Sequence, residues 1–270
     1  IFWVATAWVA GGLFIAPLLS QNEPRYQKRG VDLLFAALLI VVAGSLIGEY
    51  LSSIDFFHGE LWFWFGNQGS EYLDLGRFWQ YLLIAGFSFW LFLLFQALKP
   101  AFRMPPRREL TILFFLTAST IPIFYVPAVF YNHETHYTLI DNWRFWIIHL
   151  WVEGFFEVFA TVLVAIISVQ MGIIRTITAL RIIYLDAILY LLGGVVGTGH
   201  HWYFTGQTNV NMALSACFSA MEVVPLTLLT MEARDFIRVS QAKCEKCGHF
   251  LAEKQQSTIN FLISVGIWNF

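Results

Sequence analysis

Charged side chains are scarce in this sequence. Lys, Arg, Asp and Glu make up 13% of its 270 residues, where soluble domains carry about 25%. Apolar residues make up 58%, aromatics 18%, and the mean hydropathy is +0.63. An ordinary soluble domain is excluded, and the chain reads as an integral membrane protein whose first partner is the lipid bilayer. No basic patch is interleaved with aromatics, so no nucleic-acid partner is expected. The three cysteines are an odd number with no disulfide framework. The net charge of -2 points to no partner. There is no internal repeat and no low-complexity linker. The sequence starts on Ile1, without a Met or a signal-peptide n-region, and its last residues, "FLISVGIWNF", are an apolar run. Both ends read as cut within membrane helices, so an internal piece of a longer protein is expected.

Long apolar runs are what the chain has in abundance. A span needs about 20 mostly apolar residues. Such runs lie near 2–19, 31–51, 78–98, 110–131, 142–170, 180–200 and 209–231, and an eighth begins at 257–270. They are apolar all round, unlike barrel strands, which alternate with period two. The expected fold is all-α: a polytopic transmembrane bundle, one catalytic domain over 1–270, with seven complete spans and the start of an eighth. Fourteen of the 16 basic residues fall in the connections after the first, third, fifth and seventh runs. By the positive-inside rule these connections, including 232–256, face the cytoplasm. The aromatic segment 52–77 is then an outer loop at the headgroup level.

Against this background the ionisable residues inside the runs are conspicuous. "HLWVEGFFE" places His149, Glu153 and Glu157 at i, i+4 and i+8, along one face of a helix. Charge at the bilayer centre costs roughly 2.5–3.5 kcal/mol on insertion scales, so such residues mark polar interiors. A pore lining or a structural hydrogen-bonded triad would use the same stripe. The sixth run ends "GTGHHWYFTG", with His200 and His201 at its outer end. His149 lies roughly 12 Å below the outer end of the fifth run, at similar depth. Three imidazoles and a carboxylate can therefore converge, a ligand set for a first-row transition metal in which the carboxylate favours iron. Gly193, Gly194, Gly197 and Gly199 leave room for a bulky group or a close helix. In "FSAMEVVP", Glu222 lies near mid-membrane, and Pro225 should loosen the helix there. Intramembrane carboxylates relay protons or make structural hydrogen bonds.

"HLWVEG", "GTGHHWYFTG" and "FSAMEVVP" together resemble the catalytic subunit of bacterial nitric oxide reductase, in the haem–copper oxidase superfamily. The opening, "IFWVATAWVAGGLFIAPLLS", is more similar to the single-chain quinol-dependent type. The resemblance implies a bacterial inner-membrane enzyme that uses two electrons and two protons to convert two NO into N2O and water. It implies haem b, haem b3 and a non-haem iron. His149, His200 and His201 would ligate that iron, Glu153 would complete or border its shell, and Glu157 and Glu222 would deliver protons. Glu71, in "SEYLD", resembles an acidic position near the haem propionates and a structural calcium. Oxygen reductases of the superfamily carry a tyrosine four residues after the first metal histidine. Here that position is Glu153. The resemblance places the haem axial ligands and the quinol pocket largely outside this segment, so the rest of the chain is needed to bind haem.

Other readings stay open: an oxygen-reducing relative, an NO dismutase-like enzyme, a proton-coupled transporter or a membrane zinc hydrolase. His58, His133 and His136 read as surface residues. Cys244, Cys247 and His249 resemble half a zinc knuckle but read better as free thiols beside a histidine. Cys217 reads as core packing.

Overall fold

The computed structural model describes residues 2–22, 27–70, 73–239 and 256–268. Among these, every apolar run is helical and no strand forms; an isolated bridge joins Asn67 and Leu75. Five helical stretches are long and apolar enough to cross a membrane: Gln27–Ser53, Arg77–Leu98, Arg107–Val129, Tyr137–Gln170 and Asn209–Glu232. The chain divides into two compact units, Ile1–Phe159 and Ala160–Phe270.

The first unit contains α1 (Phe2–Ser20), α2 (Gln27–Ser53), the short α3 (Leu61–Phe65), α4 (Arg77–Leu98), α5 (Pro105–Tyr125) and α6 (Tyr137–Phe145). A π-helical segment, Trp146–Phe155, runs on into α7 (Phe156–Gln170). Helix α4 is central and packs on α1, α2 and α5. It buries Phe87, Trp90, Leu94, Ala97 and Leu98, the spacing of one helix face. The fully buried Trp90 meets Phe159 edge-on at 5.7 Å, and Phe114 stacks on Phe159 at 5.7 Å. The indole Nε1 of Trp90 donates to the Val9 carbonyl at 3.0 Å. A burial this apolar tolerates indole only where its N–H finds an acceptor. Helix α2 leaves Leu33, Phe35, Leu39, Ile40, Leu46 and Ile47 exposed, as a lipid-facing helix does.

The segment expected as the loop 52–77 contains α3 and the Asn67–Leu75 bridge. Arg77, which the sequence places at a helix border, is buried and acts as a staple. Its guanidinium donates to the carbonyls of Val129 and Tyr131, both at 2.6 Å, and lies over the Phe63 and Tyr131 rings at 5.0 and 4.8 Å. The Tyr131 hydroxyl donates to Leu73 O at 2.9 Å and reaches Gln68 Oε1. Burial pushes the Tyr131 phenol up, while Gln80 and Arg77 pull the other way.

The second unit contains the rest of α7 and α8 (Thr176–Gly197), a 3-10 segment Thr198–Thr205, α9 (Asn209–Met221), α10 (Val223–Val239) and α11 (Gln256–Trp268). Helix α8 packs on α9 and α10, and α10 on α11. The run expected at 209–231 is interrupted at Glu222, three residues before Pro225. Proline has no N–H for the Met221 carbonyl, and the Glu222 N–H bonds Ser219 O in a tighter turn at 3.1 Å.

Candidate metal centre

His149 lies in the π-helical segment and is fully buried. Helix α5 grips this segment at three points. Phe124 stacks on Trp146 at 5.9 Å and on Phe155 at 3.9 Å, and Trp151 Nε1 donates to Ile121 O at 2.8 Å. The straight α-helical stripe His149–Glu153–Glu157 is not what the backbone follows. Its hydrogen bonds close at i+5 over Trp146–Phe155, a rare geometry that recurs at functional sites. The helix also starts at Tyr137 instead of 142, so His149 is deeper in it than the apolar run suggests. The side chain of Glu153 lies outside what the structure describes. Glu157 is half-buried at the start of α7.

His200 and His201 sit where α8 gives way to the 3-10 segment. Consecutive residues of a helix point about 100° apart. Here the backbone leaves helical geometry at Trp202 (φ -104, ψ 29), and the two rings lie 4.1 Å apart at 35°. The His200 ring Nδ1 is 2.6 Å from Gly197 O. A carbonyl only accepts, so Nδ1 carries the proton and Nε2 presents its lone pair. His149 belongs to the first unit, and the adjacent His200 and His201 to the second. Imidazole donors suit iron, copper or zinc, and a site with three protein ligands would leave a coordination position open for substrate. The donor set therefore fits a transition-metal ion.

Glu222 is buried, and α8 makes room for it: a Cβ on Gly193 would lie 3.0 Å from its Oε1. Two features escaped the sequence reading. Asp186 is buried within the apolar α8, one turn before the buried Tyr190. Its signal was a lone carboxylate in a membrane run, the same signal that singled out Glu222. Gln207, Asn211 and Ser215 form a polar stripe at i, i+4, i+8 facing the "GTGHH" backbone. Their spacing was visible, but none is ionisable and the search was for charge.

Glu71, Cys244, Cys247 and His249 lie outside the described residues. His58, His133 and His136 are exposed. His133 pairs with Glu60 at 3.4 Å, and His136 caps α6, accepting from Thr138 N at 3.3 Å. Cys217, expected in the core, is exposed on α9; the α8-facing side of α9 is taken by the polar stripe.

The family described as cytochrome C and quinol oxidase polypeptide I matches residues 1–269. The chain belongs to that family. A nitric oxide reductase subunit of Stutzerimonas stutzeri is 27% identical to it over 153 residues, 56% of this chain. The chain spans 31% of that relative's length. Membership of the oxidase polypeptide family agrees with the resemblance of "HLWVEG", "GTGHHWYFTG" and "FSAMEVVP", and makes this a multi-pass membrane protein of a haem- and metal-dependent oxidoreductase family.

Proposed function

We propose that this chain is the metal-binding part of a quinol-dependent nitric oxide reductase, converting two NO into N2O and water. The observation that carries the reading is the close His200–His201 pair, with the His200 proton held on Nδ1, in an oxidase-family chain that has Glu153, not tyrosine, four residues after His149. The similarity to a nitric oxide reductase polypeptide supports it. The quinol donor rests on the likeness of the opening helix.

In this reading His149, His200 and His201 hold a non-haem iron, with Glu153 completing or bordering the shell. Iron held there would supply a Lewis acid, and haem b and haem b3 would supply the electrons. Gly197 O keeps the His200 proton on Nδ1, so that the ring binds through Nε2. Glu157, Glu222 and Asp186 are buried or half-buried carboxyls that pass protons inward, two per N2O formed. In a bacterial inner membrane, seven spans and part of an eighth place 52–77 outside and 232–256 in the cytoplasm.

The second reading, an oxygen reductase, follows from the family's own description. Haem and metal content with anaerobic NO consumption, on the full-length protein and its His200→Ala variant, separates the two. Non-haem iron near one per chain, haem, N2O formation and loss of iron in the variant are expected. Copper with rapid O2 uptake would move the protein to the oxidases, and absence of haem would overturn the reading.

A further inference from the structure

Helix α8 ends inside the protein, and the last carbonyls of a helix have no partner within it. At membrane depth water is not there to serve them, so side chains must. Thr198 Oγ1 donates to Gly194 O at 2.6 Å. Gln207 Nε2 donates to Gly199 O and is itself held by Asn211 Nδ2 at its Oε1. Gly197 O receives two donors: the fully buried Ser215 Oγ and the Nδ1–H of His200, the latter at 2.6 Å. A carbonyl oxygen has two lone pairs, so this acceptor is saturated.

The fit is tight. A Cβ on Gly199 would meet Gln207 Oε1 at 3.2 Å, Ser215 Oγ at 3.3 Å and Asn211 Nδ2 at 3.4 Å. All three groups come from one face of α9 or the turn before it, and the turn is fixed by Thr208, whose side chain accepts from Asn211 N at 3.3 Å. The stripe thus grips the backbone that carries His200 and His201, at the carbonyl that sets the His200 tautomer and at Gly199 O two residues on.

We propose that Ser215 is a positioning residue for the metal. By anchoring Gly197 O it aims the second lone pair of that oxygen at His200 Nδ1–H, which fixes the ring plane and presents Nε2 to the ion. Gln207 and Asn211 hold the adjoining turn in the same way. Outer partners of this kind are worth about 10–100-fold in metal affinity. The proposal rests on the reading of His200 as a metal ligand.

The test uses full-length protein, loaded with whichever metal the wild type retains, and titrated with a chelator. Ser215→Ala is expected to release the metal about 10–100-fold more readily and to shift its midpoint potential, at unchanged haem content and melting temperature. Ser215→Thr, which keeps the hydroxyl, is expected to restore both. Wild-type retention and potential in Ser215→Ala would overturn the proposal. Should that variant not fold, Gln207→Met reads the same grip: weakened retention supports the proposal, and unchanged retention overturns it. The two readings fail separately. The identity of the wild-type metal, iron or copper, tests the function, and the ratio of variant to wild type tests Ser215.

Discussion

The carboxylate of Glu222 occupies the space that a side chain on Gly193 would need, 3.0 Å from the missing Cβ. Gly193→Ala should leave α8 intact, since alanine favours helix by about 1 kcal/mol over glycine. It pushes the carboxyl group aside by a few tenths of an ångström. Turnover of NO is expected to fall roughly tenfold, as small misplacements near reacting groups do, with iron and haem content unchanged. Full turnover would remove Glu222 from the proton path.

His149 is fully buried. If it ligates the metal as proposed, His149→Ala removes a direct donor, and the loss in metal affinity should exceed the roughly 100-fold upper range of outer-partner changes. Elemental analysis after dialysis against chelator checks this. Retained stoichiometric metal would show that the ion is held elsewhere.

Asp186→Asn keeps the size of the side chain but replaces its ionisable carboxyl group with an amide that cannot carry a proton onward. If Asp186 passes protons, NO turnover falls several-fold while haem and metal content stay at wild-type levels. Unchanged turnover would make the carboxyl group structural.

Arg77 binds two carbonyls and two aromatic faces at once. Arg77→Met should cost roughly 3 kcal/mol in detergent unfolding, the range for hydrogen bonds to a charged group. Arg77→Lys should recover little, because an ammonium cannot reproduce the planar fork.

Tyr131 gives a pH dependence of defined sign. Its folded phenol titrates above the ordinary value of 10.0, chiefly through burial. The folded state therefore holds the proton longer than the unfolded chain. The contribution is complete below that value and is lost as pH rises through the higher folded one. Thermal unfolding of wild type against Tyr131→Phe should converge with rising pH above it; parallel curves would contradict the assignment.

Much of this was legible in the sequence because membrane helices are written in composition. Among the described residues each of the eight apolar runs is largely helical, and two of the three histidines singled out, His200 and His201, lie with their rings 4.1 Å apart. What escaped followed from assuming a uniform 3.6-residue period and from looking for charge. The period hid the π-helical segment around His149, where packing against Phe124 and Ile121 overrides the α geometry. The search for charge hid Ser215, a neutral hydroxyl that matters because of the carbonyl it reaches. Arg77 was counted as a border charge, since composition cannot show that a guanidinium is enclosed by Phe63 and Tyr131. Asp186 obeyed the same rule that marked Glu222 and was passed over.

The π-helical segment makes residue count a matter of phase. Forcing Trp146–Phe155 into α geometry at the same residue count would turn everything beyond it, because an α residue advances about 100° around the axis and a π residue less. Glu157 would then face a new direction while every named side chain remained in the chain. An alignment that slides this stretch by one position would preserve its letters and lose the bearing of its carboxylate relative to His149.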